Sequence, residues 1–204
     1  MTETGWFYGR FIDPILAPVR KKINAEVEPG EKLIDVACGT GAQVFECASK
    51  TSEAVGIDLS ESLINKAIRT KSRKHFENVE FFVDDATNIS RFSDNQFEVA
   101  TMSMALHQFD PRLHTPILNE MKRVAKKIII VDYAFPLPSN YSSIGSQVVE
   151  FLARGEHHKN FRKYCNLGGL NEILPQNKLK TKKTILFGKG AFQLVVCTSS
   201  SKSL

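Results

Sequence analysis

Cysteine is scarce in this chain of 204 residues, and the sequence has no long apolar run. The four cysteines form no C-x-x-C pair, so the sequence predicts neither a zinc site nor a redox site, and reduced thiols are expected. They are Cys38, Cys47, Cys165 and Cys197. No apolar segment is long enough to cross a bilayer, and residues 1–10 lack the charged-then-apolar pattern of a secretory signal. These absences predict a cytoplasmic protein without membrane insertion or metal.

Charge of one sign is also limited, since the net charge of +5 arises from 27 basic and 22 acidic residues. Basic residues concentrate in three stretches, 66–75, 122–127 and 178–183. No aromatic residues are interleaved with these stretches, as a stacking platform for nucleic acid would require. The stretches therefore predict solvated surfaces, and a footprint for RNA or another polyanion is the alternative.

Apolar runs typical of strands alternate with amphipathic segments typical of helices from residue 32 onward. The predicted strands are 32–37, 54–58, 79–83, 97–103 and 127–132, and the predicted helices are 41–50, one after Ser60 and one opened by Asp110-Pro111. This alternation predicts an α/β fold with a parallel sheet and helices on both faces. Two further stretches, 180–187 and 191–198, flank a glycine-rich turn and predict a closing antiparallel hairpin.

The length fits a single domain, 1–204, with additions to the alternating core. Residues 1–30 are expected to form an N-terminal helical cap, in which Asp13-Pro14 begins a helix and Pro18 kinks or restarts it. Residues 135–175 are expected to form a helical insertion that joins the cap as a lid over the ligand edge of the sheet. The tail 199–204 is expected to be disordered.

The strongest motif is the turn that follows the first predicted strand. Gly39 and Gly41 let the backbone approach a ligand closely, and the next helix begins there. Asp35 ends the preceding strand, and Asp58 ends the next strand at the spacing of a ribose-binding acid. A dinucleotide fingerprint would have a third glycine where this chain has Val44, which argues against NAD. A plain tight turn is the alternative interpretation.

These residues resemble the class I S-adenosylmethionine-dependent methyltransferases, and the region around His107 is similar to the ubiquinone/menaquinone-biosynthesis type. Residues 35–41 resemble the first motif, 97–107 the fourth motif, and the final hairpin the reversed last strand. The resemblance implies a Rossmann-like fold with a seven-stranded, mostly parallel sheet and S-adenosyl-L-methionine as the cofactor. It implies cofactor contacts from Asp35, Ala37, Cys38, Gly39, Gly41, Asp58, Leu59, Asp85, Ala86 and Ser103. Ala37 departs from the family, which usually has glycine or another small residue there.

Three residues are candidates for contact with the methyl acceptor. His107 follows the fourth strand, where a base would be needed only if the acceptor must lose a proton. An equal alternative is that His107 orders the loop or lines the pocket. Asp132 and Tyr133 end the fifth strand at the same edge, and a cap or loop hydrogen bond is the alternative for Asp132. The adjacent His157 and His158 do not share a helix face and make a poor metal pair.

The predicted function is methyl transfer to a small, apolar or aromatic organic acceptor. The aromatic residues expected near the site suit such an acceptor; they are Trp6, Phe7, Tyr8, Tyr133, Phe135 and Phe151. Two alternatives stay open at this point. One is an RNA or protein methyltransferase that uses the basic surfaces, and the other is a non-catalytic cofactor-binding module. The sequence does not determine the acceptor or the oligomeric state, and nucleic acid is not the expected partner.

Overall fold

The computed structural model describes residues 13–136 and 156–199, which contain a seven-stranded sheet. The strands are β1 (Lys32–Val36), β2 (Glu53–Asp58), β3 (Val79–Val83), β4 (Phe97–Ser103), β5 (Ala125–Tyr133), β6 (Leu179–Phe187) and β7 (Phe192–Ser199). Their order in the sheet is β3-β2-β1-β4-β5-β7-β6. Strands β1 to β5 are parallel, and β7 runs antiparallel to both β5 and β6. The predicted fold class, including the closing hairpin, is confirmed.

Six α-helices lie in the described segments. They are α1 (Asp13–Ala25), α2 (Ala42–Cys47), α3 (Glu61–Lys74), α4 (Pro111–Val124), α5 (Glu156–Asn166) and α6 (Leu170–Gln176). The start of α4 follows from its sequence, because the Asp110 side chain accepts a 3.0 Å hydrogen bond from the backbone N–H of Arg112 and Pro111 occupies the first turn. A 3-10 turn, Leu106–Gln108, lies between β4 and α4.

The central strands are buried on both faces, which is why they read as nearly continuous apolar runs. The four consecutive aliphatic residues of β5, Ile128 to Val131, are fully buried, and β1 and β4 pair through Leu33 opposite Val99 and Asp35 opposite Thr101. The side of the sheet on which successive strands are added reverses between β1 and β4, because β2 and β3 extend the sheet on one side and β4 and β5 extend it on the other. At such a reversal the loops leave the strand ends in opposite directions and open a crevice.

Several sequence-based boundaries need correction. Helix α2 ends at Cys47 instead of residue 50, and α1 continues through Pro18 as one helix without the expected restart. The spacing of Leu63, Ile64, Ala67 and Ile68 predicts one apolar face for α3, but Ile68 is 42% exposed, and Ile64 and Ala67 are the buried residues of that helix. The first part of the cap, nearly half of the insertion and almost all of the tail (residues 1–12, 137–155 and 200–204) lie outside the described residues.

Within the described segments, no helix has both the length and the apolar character to span a membrane.

Candidate functional site

A cavity of about 540 Å³ opens at the carboxyl edge of the sheet, within the size range of small-molecule sites. Its walls are the loops that follow β1 to β4, together with α1 and the start of α4. Of the ten predicted cofactor residues, eight border this cavity: Ala37, Cys38, Gly39, Asp58, Leu59, Asp85, Ala86 and Ser103. The crevice that the strand order opens is therefore also where the sequence motifs converge.

The turn after β1 is held in a conformation that favours glycine. Gly39 and Gly41 have φ values of 56° and 76°, both in the left-handed region. A Cβ on Gly39 would meet nothing within 4 Å, so the missing side chain leaves room on the cavity side. A Cβ on Gly41 would collide with the ring of Phe81 on β3. The first glycine therefore serves access to the cavity, and the second serves packing against the sheet.

Ala37 also has a left-handed backbone, with φ at 59°. A side chain in this region costs about 1–2 kcal/mol, because Cβ approaches the following carbonyl oxygen. This strain explains in physical terms why glycine would be favoured at position 37. The strained residue borders the cavity, where irregular backbone is often retained for function.

Asp58 connects two walls of the cavity. One carboxylate oxygen accepts a 2.8 Å hydrogen bond from the backbone N–H of Gly39, and the other accepts a 2.8 Å bond from the backbone N–H of Ser60. Each carboxylate oxygen can accept more than one hydrogen bond, so both retain capacity toward the cavity. The side chain can therefore hold its two loops and bind a pair of ribose hydroxyls together.

The neighbouring walls fit the adenine end of a nucleoside. Leu59 and Leu113 are exposed by 73% and 38%, although both are large apolar side chains that border the cavity. Exposed aliphatic groups of this kind offer flat contact surfaces to a purine ring. Asp85 accepts 2.8 Å hydrogen bonds from the backbone N–H and the hydroxyl of Thr87 through one oxygen. Its other oxygen is an acceptor suited to an exocyclic amino group.

Asp35 and Gly41, the remaining two predicted cofactor residues, do not border the cavity. The Asp35 side chain is buried at the β1–β4 junction and accepts a 2.6 Å hydrogen bond from the hydroxyl of Thr101. Burial raises the pKa of Asp35 to about 7, against the opposing effect of the Thr101 hydrogen bond and with a smaller contribution from Asp58. Asp35 therefore stabilises the strands beneath the cavity through its bond with Thr101, and Gly41 allows the turn to pack closely against Phe81.

The three predicted catalytic residues are brought together, but behind the cavity wall. His107 and Tyr133 are each 2% exposed, Asp132 is fully buried, and none of the three borders the cavity. The Asp132 carboxylate accepts a 2.6 Å hydrogen bond from Nδ1 of His107 and a 3.1 Å bond from its backbone N–H. The imidazole packs edge-on against the rings of Tyr133 and Phe161. This geometry favours the loop-ordering interpretation of His107 over direct contact with an acceptor.

Several residues that border the cavity were not identified from the sequence. They include Arg20, Thr40, Met104, Gln108, Phe109 and Leu113. Met104 has a left-handed backbone, with φ at 53°, and its carbonyl accepts a 2.6 Å hydrogen bond from the Gln108 amide. A methionine gives no sequence signal for that conformation. The start of α4 after the fourth motif could have indicated Leu113, since a first helical turn at the sheet edge faces the crevice.

The cysteines and histidines do not form a metal or nucleophile site in the described segments. All four cysteines are free, and burial raises the pKa of the Cys38 thiol at the cavity wall well above its usual range. Among described residues, no group of three or more His, Cys, Asp or Glu side chains could hold a metal ion. His157 and His158 lie in the first turn of α5.

The strand order with its reversed β7, the glycine turn after β1 and the acid that ends β2 together define the class I S-adenosylmethionine-dependent methyltransferases. The chain belongs to the family described as "Methyltransferase domain", whose model matches residues 27–182. Within that family it resembles the menaquinone type, since demethylmenaquinone methyltransferase from Corynebacterium kroppenstedtii is 30% identical over 138 residues.

That alignment covers 66% of this chain and 54% of the relative, so the chain spans about half the length of the curated relatives that it matches. The demethylmenaquinone methyltransferase from Staphylococcus saprophyticus is 31% identical over 112 residues, which are 52% of this chain and 46% of that protein. Among solved structures, the PH0226 protein from Pyrococcus horikoshii OT3 has a TM-score of 0.70 at 21% identity and covers 94% of this chain and 92% of its own. A SAM-dependent methyltransferase from Aquifex aeolicus has a TM-score of 0.63 at 19% identity, and the match covers 87% of this chain and 88% of that protein. These structures show a common fold.

The two turn glycines should respond differently to alanine. Gly41→Ala should lower the free energy of unfolding by about 2–4 kcal/mol, because it combines a left-handed backbone with a collision against Phe81. Gly39→Ala should cost only the left-handed strain, about 1–2 kcal/mol, but should weaken binding of S-adenosylmethionine at least tenfold by filling the cavity wall. Denaturant unfolding and calorimetric titration of the cofactor measure the two effects. Equal loss of stability in both variants would contradict this assignment.

Asp35 should make stability depend on pH. Its folded-state pKa of about 7 lies above the ordinary value for aspartate, so its contribution is complete below about pH 4 and is lost as pH rises through 7. Asp35→Asn keeps an acceptor for Thr101 and removes the titration. The stability of the variant relative to the parent should therefore increase between pH 5 and pH 8 by about 2.5 kcal/mol, since about 1.4 kcal/mol accrues per pH unit until pH passes the folded-state pKa of about 7. Urea unfolding across this range tests the expectation, and a constant difference would refute it.

Proposed function

We propose that this chain transfers a methyl group from S-adenosylmethionine to a small organic acceptor that is apolar or aromatic. The observation that carries this proposal is the continuity of the cavity. One end of the cavity is lined by the glycine turn, Asp58 and Leu59, and the other end is lined by Met104 and Phe109, which follow β4. A donor bound at the first end would direct its reactive centre toward the second.

The donor half suits each part of S-adenosylmethionine. Asp58 would accept from the ribose hydroxyls, Leu59 and Leu113 would pack on the adenine faces, and Asp85 with Ala86 would meet the adenine amino group. Gly39 and Ala37 leave backbone space for the methionine portion. The donor supplies an already activated methyl group, so the residues of the protein need mainly to orient both reactants and exclude water.

The acceptor half favours an apolar molecule over a charged polymer. Its described wall is mainly apolar and is formed by Met104, Ala105 and Phe109 with Leu16 and Val19 of α1, to which Gln108 and Arg20 add polar groups. The names of similar proteins point to the same class of acceptor, since they refer to demethylmenaquinone, magnesium protoporphyrin IX and geranyl diphosphate. We propose a hydroxylated aromatic ring, such as a quinol precursor, as the acceptor class.

Two of the three basic stretches lie far from the proposed site, which weakens the case for a nucleic-acid acceptor. Lys127 and Lys180 both pair with Thr198 of β7, at the edge of the sheet opposite the cavity. A polymer bound there could not present an atom to the donor without wrapping around the domain. The cytoplasmic location stays a prediction from the sequence, which does not determine the oligomeric state.

We propose that His107 and Asp132 are positioning residues. Nδ1 of His107 donates to the Asp132 carboxylate, and this contact sets the orientation of the ring and of its Nε2. The same carboxylate also accepts from the His107 backbone N–H, and so it fixes both the ring and the turn that precedes Gln108. A carboxylate that holds an imidazole in this way could equally support a base, so the two roles need a kinetic distinction.

Methyl transfer can be tested directly with donor that carries a labelled methyl group. The protein should methylate a hydroxylated naphthalene or benzene fraction of a metabolite extract, and Asp58→Ala should lose most of this activity. Loss of two charge-assisted hydrogen bonds, at about 1.5–3 kcal/mol each, predicts donor binding weakened at least about a hundredfold. Asp94→Ala, a change on the exposed loop before β4, is the matched control. Label in purified RNA at physiological salt would support the RNA alternative, and donor binding without any labelled product would support a non-catalytic module.

His107→Gln separates positioning from base catalysis. If the ring orders the turn, the variant should raise KM several-fold with a smaller change in kcat and an unaltered pH profile, because the acceptor wall is displaced. If the ring removes a proton, kcat should fall by 10²–10⁴ and its acidic limb should vanish. Steady-state kinetics from pH 5.5 to 9 distinguish these outcomes, and we expect the first.

A further inference from the structure

A second cavity, of about 320 Å³, lies in the groove between α2 and α3. It adjoins the first cavity, at the carboxyl edge of the sheet, which we call the donor cavity. Arg20, Thr40 and Ala42 border both cavities. The rest of its lining comes from the two helices and the segment after α3, and consists of Phe45, Glu46, Lys66, Thr70, Lys74 and Phe76. We call this cavity the α2–α3 groove.

One face of α3 supplies two ammonium groups and a hydroxyl to the groove, and the Thr70 hydroxyl already donates a 3.0 Å hydrogen bond to the Lys66 carbonyl. Lys66, Thr70 and Lys74 follow each other at intervals of four residues, the spacing that places side chains on one face of a helix. At about 1.5 Å per residue, the row is about 12 Å long. Arg20 adds a third cation from α1, and Glu46 is the single carboxylate among the described lining residues. The lining therefore has an excess of two positive charges.

The groove also has an aromatic wall. The rings of Phe45 and Phe76 are stacked, with centroids 5.2 Å apart and an interplanar angle of 27°, and Nζ of Lys74 lies 5.9 Å from the centroid of Phe45. No aromatic residue lies within the basic stretch 66–75, but the fold brings Phe45 and Phe76 beside its last lysine. An apolar wall beside the cations reduces local screening and strengthens their attraction for an anion.

The two adjoining cavities have opposite charge. The donor cavity is bordered by Asp58, Asp84 and Asp85, which favour a cationic ligand, while the lining of the groove is basic. An anion approaching this edge of the sheet would therefore be repelled from the first cavity and attracted to the second. Arg20 and Thr40 stand at the boundary between them.

We propose that the α2–α3 groove binds a phosphate group carried by a small aromatic or apolar molecule. A phosphate presents several acceptor oxygens to the two ammonium groups and the guanidinium, and the rings of Phe45 and Phe76 contact the organic part. Free phosphate shares the charged contacts but lacks the apolar ones. The proposal concerns binding only and does not depend on methyl transfer.

The test uses phenyl phosphate and inorganic phosphate as probes, with amide NMR shifts of the full chain as the readout. Phenyl phosphate should bind saturably, with the largest shifts at Thr40 and Thr70, and more tightly than inorganic phosphate. Equal affinity for the two probes would overturn the aromatic part of the proposal. Lys66→Gln and Lys74→Gln should each weaken binding about fivefold, the upper range for a solvent-exposed ion pair.

Arg73→Gln is the matched control, because it removes the same charge one residue from Lys74 and does not border the groove. It should leave the affinity for phenyl phosphate within about twofold of the parent chain at constant ionic strength. Equal weakening by Arg73→Gln and Lys74→Gln, or shifts that do not saturate, would overturn the proposal in favour of diffuse surface charge. Calorimetric binding of S-adenosylmethionine to all variants confirms that the fold is retained.

Discussion

The pair of hydrogen bonds accepted by Asp58 is the constraint on which the site depends. Its carboxylate joins the glycine turn after β1 to the start of α3, at 2.8 Å on each side. These loops leave adjacent parallel strands, and the Asp58 bonds add to the strand ladder and to the apolar packing of Cys38 with Ile64 and Ala67. Because the same side chain borders the cavity, one carboxylate both shapes the binding surface and forms part of it.

Strained backbone lies on both sides of that surface. Ala37 and Met104 follow the neighbouring strands β1 and β4, and both have left-handed φ values although neither is glycine. Each is held by hydrogen bonds next to it, since the N–H of Cys38 donates to Ile57 at 2.9 Å and that of Met104 donates to Val131 at 2.8 Å. The sheet thereby stabilises two unfavourable conformations where the chain must turn sharply into the cavity.

The sequence predicted the positions of individual strands and loops better than the contacts between segments that are distant in the chain. Strands 79–83 and 97–103 were predicted with the observed bounds, because apolar runs and flanking turn residues are local signals. Eight of the ten cofactor residues border the cavity for the same reason, since they follow strand ends. The burial of His107 and the approach of Phe76 to Phe45 depend on how separate elements pack. No local sequence pattern encodes such contacts. The basic stretch 66–75 therefore gave no sign that its last lysine would lie beside the stacked rings of Phe45 and Phe76.

Two buried carboxylates support the central strand β4 from opposite sides. Asp35 of β1 accepts from Thr101 within β4, and Asp132 of β5 accepts from His107 in the turn that follows it. His114 on α4 adds a third support, since its Nε2 donates to the Leu106 carbonyl at 3.1 Å. Buried polar groups are costly unless they are paired, so their concentration around one strand end indicates a segment that must hold its shape. In the proposed reaction this segment forms part of the wall of the acceptor half of the cavity, where an in-line transfer would tolerate little displacement.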